Sequence, residues 1–410
     1  MSNSGSAIVA PWLTVIGIGE DGVAGLGDEA KRLIEAAPVV FGGARHLELA
    51  APLIAGERHS WQSPFEKSVE AIVARRGSPV VVLASGDPFL YGVGATLARR
   101  VDAAEMRTIP APSAFSLAAS RLGWALQEVA TVSLHGRPLD LIRPHLQPGA
   151  RVLALTSDEN GPKALAGLLA ESGFGQSRLT VLEALGGASE RVSRHLASGF
   201  AMEELNALNV CALEVVADAD ARVLTLASGL DDRFFEHDGQ ITKREVRALT
   251  LSALAPRKGE LLWDIGAGSG SIAIEWMLAD PAMRAVAIEA SSERAARIGR
   301  NAASFGVPGL VVAEGQAPEA LRGLPQPDVI FIGGGGSKPG VMEAAVAALA
   351  PGGRLVANAV TTEMEAVLLA RHARFGGSLI RIDIARASPV GAMTGWRPAM
   401  PVTQWSWIKA

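Results

Sequence analysis

Short Val/Ile/Leu-rich runs that end in glycine alternate along the whole chain with Ala/Leu/Glu/Arg-rich stretches carrying apolar residues at helical spacing. Strands and helices impose different apolar periods, so this alternation dictates an α/β fold. In the first half the strand-like runs are Leu13 to Ile18, Val80 to Leu83, Val152 to Leu155, Leu179 to Leu182 and Cys211 to Val216, with helices such as Asp28 to Ala36 and Phe65 to Ala74 between them. In the second half they are Leu261 to Ile265, Arg284 to Ile288, Leu310 to Ala313, Asp328 to Ile332 and Gly353 to Asn358. The regularity of that second series predicts a doubly wound sheet. Single cores stop growing at roughly 250 to 300 residues, so a chain of 410 residues is expected to form two domains. The join falls in Ala217 to Gly239, where a strand-like Arg222 to Leu226 gives way to a polar segment, Gly229 to Gly239, rich in Asp and aromatic residues. There is no short internal repeat, and the halves do not resemble each other.

Several function classes drop out on composition. Hydrophobic residues make up 49% and charged residues 20%, which is material for buried cores rather than for disorder. Apolar runs such as Pro79 to Ala84 and Val329 to Ile332 are far shorter than the ~18 to 20 residues of a membrane span, so no membrane partner is expected. Met1 to Trp12 lacks the basic start and apolar stretch of a secretion signal, which predicts a cytoplasmic protein. A single cysteine, Cys211, excludes an internal disulfide and a cysteine-based metal cluster; it reads as a buried small hydrophobe, and no metal is expected. A formal charge of −4 without a Lys/Arg run weighs against a nucleic-acid partner.

The strongest single signal is Leu262-Trp263-Asp264-Ile265-Gly266-Ala267-Gly268-Ser269-Gly270, a strand running into glycines and then a helix, Ser271 to Ala279. Glycines there let the backbone approach a ligand at the carboxyl end of the strand. A dinucleotide fingerprint reads Gly-x-Gly-x-x-Gly, whereas here the third glycine comes one residue early and Ser271 takes its place. Asp264 would be a poor neighbour for a pyrophosphate but suits a ligand with a cationic methionine end. Glu289 stands 19 residues past Gly270, after the next strand, where a carboxylate can accept hydrogen bonds from both ribose hydroxyls. This block resembles the class I S-adenosylmethionine-dependent methyltransferases. Gln240 to Arg247, Glu314 to Pro318 and Phe331 to Gly336 narrow the likeness to the cobalamin-pathway precorrin methyltransferases that methylate carbon 15 and decarboxylate a side chain. The resemblance implies that Thr242 and the loop Gly266, Ala267, Gly268, Ser269 and Gly270 contact the donor, that Glu289 holds its ribose, and that Gln316 and Ala317 flank its adenine. Many relatives carry an acid where Gln316 stands. The glycines at 333 to 336 end a central strand, where open α/β sheets bind ligands, and Gly333 and Gly334 lack side chains that would block a broad planar substrate.

In the first half, Gly86-Asp87-Pro88 by itself is an ordinary turn. Its neighbours are Thr14 to Gly19, Val39 to His46, Ile109 to Ser116 and Val132 to Arg137. In this order and spacing they resemble the tetrapyrrole methylase family, in the branch that methylates carbon 5 of precorrin-type rings, over roughly Leu13 to Val216. The resemblance implies a donor folded into a cleft between two lobes, against Gly86, Asp87, Pro88 and the Ser113 region. The first loop, Gly17 to Gly22, departs from the family's Gly-x-Gly-Pro-Gly-Asp. His46 and His135 read either as catalytic groups or as hydrogen-bonded structural histidines, and Arg45 and Arg137 beside them suit clamping of substrate carboxylates.

Taken together, the resemblances imply a two-lobed tetrapyrrole methylase domain over residues 12–218 followed by a Rossmann-like, doubly wound class I methyltransferase domain over residues 237–410. They imply a precorrin-type tetrapyrrole as substrate, two S-adenosylmethionine sites, one per domain, and a homo-oligomer. The electron-rich ring supplies its own carbon nucleophile, so the protein has to align reactants and exclude water, and no nucleophilic residue is required. Lys243, Arg244, Lys338, Arg386 and Arg397 are candidates for holding the substrate's carboxylates. The rivals are a nicotinamide-dependent oxidoreductase, which would want the later third glycine, and an RNA or other small-molecule methyltransferase whose first domain is not catalytic. A basic stripe around Gly333 to Gly336 would mark the RNA reading, and the sequence has none.

Overall fold

A computed structural model describes residues 11–410. The chain divides into two compact units: one runs to Leu139 and resumes over Gln147–Ala221, the other takes Asp140–Leu146 and Arg222–Ala410.

The first unit has two lobes. Strands β1 (Leu13–Ile18), β2 (Val39–Gly42), β3 (Glu57–Ser60), β4 (Val80–Ser85) and β5 (Met106–Ile109) form a parallel sheet in the order β3-β2-β4-β1-β5. All six residues of β1 are buried, because helices cover both faces of the sheet. Ile16, Ile18, Val81 and Leu83 pack on one side with Ala30 and Ile34, while Leu13, Val15, Val80 and Val82 pack on the other with Val69 and Ile72. Burial on both faces is why these strands read as unbroken apolar runs instead of alternating ones. The second lobe holds β6 (Val129–Ser133), β7 (Arg151–Leu155), β8 (Arg178–Glu183), β9 (Arg191–Leu196) and β10 (Asn209–Glu214) in the order β6-β7-β10-β8-β9, antiparallel except for the β6–β7 pair. The helix Ala114–Leu122 enters this lobe through Phe115 and Ala118, which meet Leu153, Leu182 and Ala212. Cys211 is fully buried on β10, and burial raises its thiol pKa far above the ordinary value.

One sequence expectation fails between the units. Arg222 to Leu226 is not a strand. Leu224 is buried in the core of the second unit while Leu226 is 93% exposed, and no sheet edge pairs with the segment.

The second unit is built on β11 (Leu261–Ile265), β12 (Arg284–Glu289), β13 (Val311–Glu314), β14 (Val329–Ile332), β15 (Arg354–Ala359), β16 (Ser378–Ile382), a hairpin of β17 (Ala385–Val390) and β18 (Met393–Pro398), and β19 (Val402–Ile408). Seven of these form one sheet in the order β13-β12-β11-β14-β15-β19-β16. Its first five strands are parallel, and β19 runs antiparallel to both neighbours. Alternation along β11 splits its side chains between two cores: Leu262 faces Ile272, Trp276 and Phe305, whereas Leu261, Trp263 and Ile265 face Met342, Leu355 and Trp405. Fully buried rings such as Trp276 and Phe305 each contribute about 2 to 3 kcal/mol of apolar transfer.

Candidate functional site

In the second unit β11 and β14 lie side by side although β12 and β13 come between them in the chain. The connections therefore leave in opposite directions at this point and open a crevice at the strands' carboxyl ends. Gly266, in left-handed backbone conformation, makes the crevice possible: a Cβ there would stand 2.5 Å from the Gly334 carbonyl oxygen. The loops after β11 and β14 thus touch backbone to backbone. A cavity of about 790 Å³ opens over them, lined by Thr242, Asp264, Gly266, Ala267, Gly268, Glu289, Gln316, Ala317, Gly333 and Gly334 among others. Ser269 and Gly270 are not in its wall. Ser269 is 2% exposed, and Gly270 lies where a Cβ would come 2.8 Å from Ile298 Cγ2, so its lack of a side chain serves packing of the helix Ser292–Ser304.

The two expected acids behave differently. The Glu289 carboxylate is tied to the loop, accepting from the Gly268 N–H at 2.9 Å and from the Ser291 N–H at 3.0 Å. Asp264 is 1% exposed and accepts from the Ala273 N–H at 3.2 Å through Oδ2, while its Oδ1 is buried with no partner among the described residues. Burial pushes its pKa up to about 7, against the pull of the Ala273 bond, and the Glu289 charge adds to the rise. An unpaired carboxylate oxygen in a glycine-lined cavity fits a ligand that brings a cation or a hydrogen-bond donor. Thr242 is placed by Arg247, which ends the segment singled out in the sequence but is given no role there. Arg247, fully buried, donates to the Thr242 carbonyl at 2.5 Å, to Glu275 Oε1 at 2.5 Å and to Asp232 at 3.0 Å, which pins the approach segment to the sheet.

Of the five expected cations, Lys243, Lys338 and Arg386 reach the cavity wall, and Arg244 and Arg397 do not. Arg294 joins them, unforeseen because it comes from the first turn of a helix that the glycine motif does not mark. Three of the four wall cations already face acids: Lys243 meets Asp232, Arg294 meets Asp238 and Arg386 meets Glu245. The far wall, with Asn358, Val360, Ile382, Ile384, Met400 and Val402, was also missed. Only the long-range pairing of β19 with β15 and β16 assembles it.

The first unit repeats the theme with different parts. A Cβ on Gly17 would overlap the Gly86 carbonyl oxygen at 1.8 Å, so the ends of β1 and β4 also meet backbone to backbone. A cavity of about 710 Å³ lies there, lined by Arg45, His46, Gly86, Asp87, Tyr91, Ser113 and His135 among others. Pro88 and Arg137 are not in its wall. The Pro88 carbonyl accepts from the Gly94 N–H at 2.9 Å and so shapes the turn, while the Arg137 guanidinium lies 5.6 Å over the Tyr91 ring. Asp87 Oδ1 accepts from the Phe89 N–H, and Ser113 caps the helix Ala114–Leu122 through the Ser116 N–H. Arg45 is ion-paired with Glu20 and donates to Ser85 Oγ. His46 Nε2 lies 2.7 Å from Ser85 Oγ and 3.0 Å from Arg45, and burial, helped by the Arg45 charge, pushes its pKa down to about 4. It is therefore a neutral, wedged ring. His135 differs. Its Nδ1 lies 3.2 Å from the Thr156 carbonyl, and because a carbonyl only accepts, Nδ1 carries a hydrogen, which makes Nε2 the acceptor of the neutral ring.

Among the described residues no group of His, Cys, Asp and Glu could hold a metal, and no helix is long and apolar enough to cross a membrane.

Comparison with known proteins adds to this geometry. The tetrapyrrole (corrin/porphyrin) methylases match residues 13–199, and a precorrin methyltransferase domain matches residues 233–409. A precorrin-6Y C(5,15)-methyltransferase (decarboxylating) of Sinorhizobium sp is 76% identical over 409 residues, covering all of this chain and 99% of that protein. Two shorter relatives carry the two carbon positions separately. A probable cobalt-precorrin-6B C(15)-methyltransferase (decarboxylating) of Pyrobaculum calidifontis is 34% identical over 43% of this chain and 96% of its own. A cobalt-precorrin-7 C(5)-methyltransferase of Salmonella typhimurium is 32% identical over 44% of this chain and 88% of its own.

Proposed function

The chain belongs to the decarboxylating precorrin-6Y C(5,15)-methyltransferases, and from that premise we propose that its first unit methylates carbon 5 of precorrin-6Y, that its second methylates carbon 15 with loss of a ring acetate, and that the product is precorrin-8X. The protein is an S-adenosylmethionine-dependent C-methyltransferase with decarboxylase activity. The observation that carries the finer reading, one donor site in each unit, is that each unit has its own cavity over glycines at the carboxyl ends of parallel strands. We take the catalytic domains as residues 12–218 and 237–410. The expectation of a homo-oligomer rests on the family resemblance.

The bound donor supplies an electrophilic methyl group on a sulfonium. The protein orients it and keeps water out. In the second unit Asp264 offers its unpaired oxygen to the ammonium of the methionine end, Glu289 takes the ribose hydroxyls, Gln316 and Ala317 border the adenine, and Thr242 with Gly266, Ala267 and Gly268 closes on the rest. Ser269 and Gly270 hold that loop from beneath, and Gly333 and Gly334 leave room for the flat ring. In the first unit Gly86, Asp87 and Ser113 form the donor side, with Pro88 setting the turn. Each transfer breaks a sulfur–carbon bond, forms a carbon–carbon bond and leaves the ring one proton in excess. His135 Nε2 is the open proton acceptor of the first cavity. Arg45, already paired with Glu20, borders the substrate, and Arg137 braces Tyr91 from outside the cavity wall.

Calorimetric titration of S-adenosylmethionine into the full chain tests this reading. Two saturable events are expected per chain, with Asp87→Ala weakening one and Glu289→Ala the other. A single event, abolished by Glu289→Ala and untouched by Asp87→Ala, would leave one donor site and overturn it.

A further inference from the structure

The sheet order divides the second cavity. The ends of β11, β12 and β13 carry the glycine loop, Glu289 and Gln316, and beyond β14 the wall is made by β15, β19 and β16. That far wall is mostly apolar. Ile382 and Val402 are paired across β16 and β19, and they pack with Ile384 in one cluster. Val360 and Met400 continue it to the mouth, where they are 54% and 70% exposed. Two polar side chains stand in this wall and both are engaged: the Asn358 amide through Nδ2 with Thr250 at 2.9 Å and through Oδ1 with Gln404 at 2.9 Å, and Arg386 in an ion pair with Glu245. Lys338, on the turn after the glycines, is the wall cation that meets no carboxylate among the described residues.

Resting on the function proposed above, we infer that this division separates two kinds of substrate carboxylate: Lys338 holds one that the ring keeps, and the wall of Val360, Ile384 and Met400 receives the acetate that is lost. The charge of a carboxylate disperses as carbon dioxide departs, so water or a facing cation stabilises the acetate more than the transition state and slows the step. An apolar wall removes that stabilisation. The balance closes without a further acid or base. Methylation at carbon 15 makes the ring cationic. The bond between the acetate methylene and its carboxyl carbon then breaks, its electron pair enters the ring and cancels that charge, and carbon dioxide leaves. The proton that the ring held in excess moves, directly or through water, to the methylene and makes it a methyl group. Methylation therefore precedes decarboxylation at this site.

The test uses the full chain, S-adenosylmethionine and precorrin-6Y, with products separated by mass and carbon dioxide counted per methyl transferred. Val360→Lys and Ile384→Lys place a cation on the wall at exposed or partly exposed positions, and donor titration reports whether each variant is folded. Both are expected to accumulate a product that has gained its methyl groups and kept its acetate, with carbon dioxide per methyl falling about tenfold. Lys338→Met is expected to raise KM for precorrin-6Y roughly fivefold, the size of one lost charge contact, at an unchanged ratio. An unchanged ratio in both folded wall variants, or a lowered ratio in Lys338→Met alone, overturns the inference. If the wild-type chain transfers methyl to carbon 15 without releasing carbon dioxide, the function proposed above is what fails.

Discussion

Asp264 carries a proton at pH values where an ordinary aspartate is charged. Its folded pKa of about 7 against an ordinary 3.8 means that the folded protein keeps a proton the unfolded chain releases, so stability falls as pH rises through that window. Asp264→Asn removes this slope, and the melting temperature of the second unit is expected to fall less between about pH 5 and pH 7 in the variant than in the wild type. Donor affinity should move oppositely. Over the same range, below the titration of the donor's own amine at about 7.7, wild-type affinity is expected to rise with pH and the variant's to stay low and flat. A pH-independent wild-type affinity would separate Asp264 from the methionine end. His135 is the corresponding residue in the first unit. Replacing it with Gln keeps a hydrogen-bonding side chain and removes the proton acceptor, so carbon-5 methylation should slow by about 10² with KM unchanged. Both residues could be singled out from the sequence, as a loop-end acid and a tempting histidine. Their states could not, because burial and the Thr156 carbonyl act through space.

At the scale of the element, the strand–glycine–strand contacts decide whether the cavities exist. Gly266→Ala would drive a Cβ into the Gly334 carbonyl and force an unfavourable left-handed backbone on alanine. It should abolish one of the two calorimetric binding events and leave the other, whereas Gly17→Ala, against Gly86, should remove the complementary one. Arg247 ties the segment carrying Thr242 to Glu275. Arg247→Met strands a buried carboxylate and is expected to destabilise the second unit by about 3 to 5 kcal/mol, read by chemical denaturation of the full chain. Strands covered on both faces were legible as apolar runs because nothing polar interrupts them. β9, reading Arg191 to Leu196, and β16 to β18 were not. Their exposed faces carry Arg, Ser and Pro, and only a neighbouring strand or a hairpin partner makes them strands. Arg222 to Leu226 shows the converse, apolar spacing without an edge to pair with. The glycine loops were legible for the same local reason that Arg294, Asn358 and Met400 were not: a turn is written in adjacent residues, a cavity wall in distant ones.

For the molecule as a whole, a formal charge of −4 opposes a substrate rich in carboxylates, and the local cations of the second cavity have to overcome that field. Three of them are already matched by acids, so capture falls mainly to Lys338. KM for the tetrapyrrole should therefore depend on salt more weakly in Lys338→Met than in the wild type, measured by carbon-15 methylation from low salt up to about 0.5 M. Equal salt dependence would place the capturing charge elsewhere. The placement of β19 has a different consequence. It fills the gap between β15 and β16, paired on both sides, yet it comes after both in the chain. A ribosome adds about 5 to 20 residues per second, so β16 waits a few seconds for the strand that joins it to the sheet. During synthesis the nascent second unit shows two unpaired edges, on β15 and on β16, a window in which chaperones and neighbouring chains compete for a partner that the same polypeptide has yet to make.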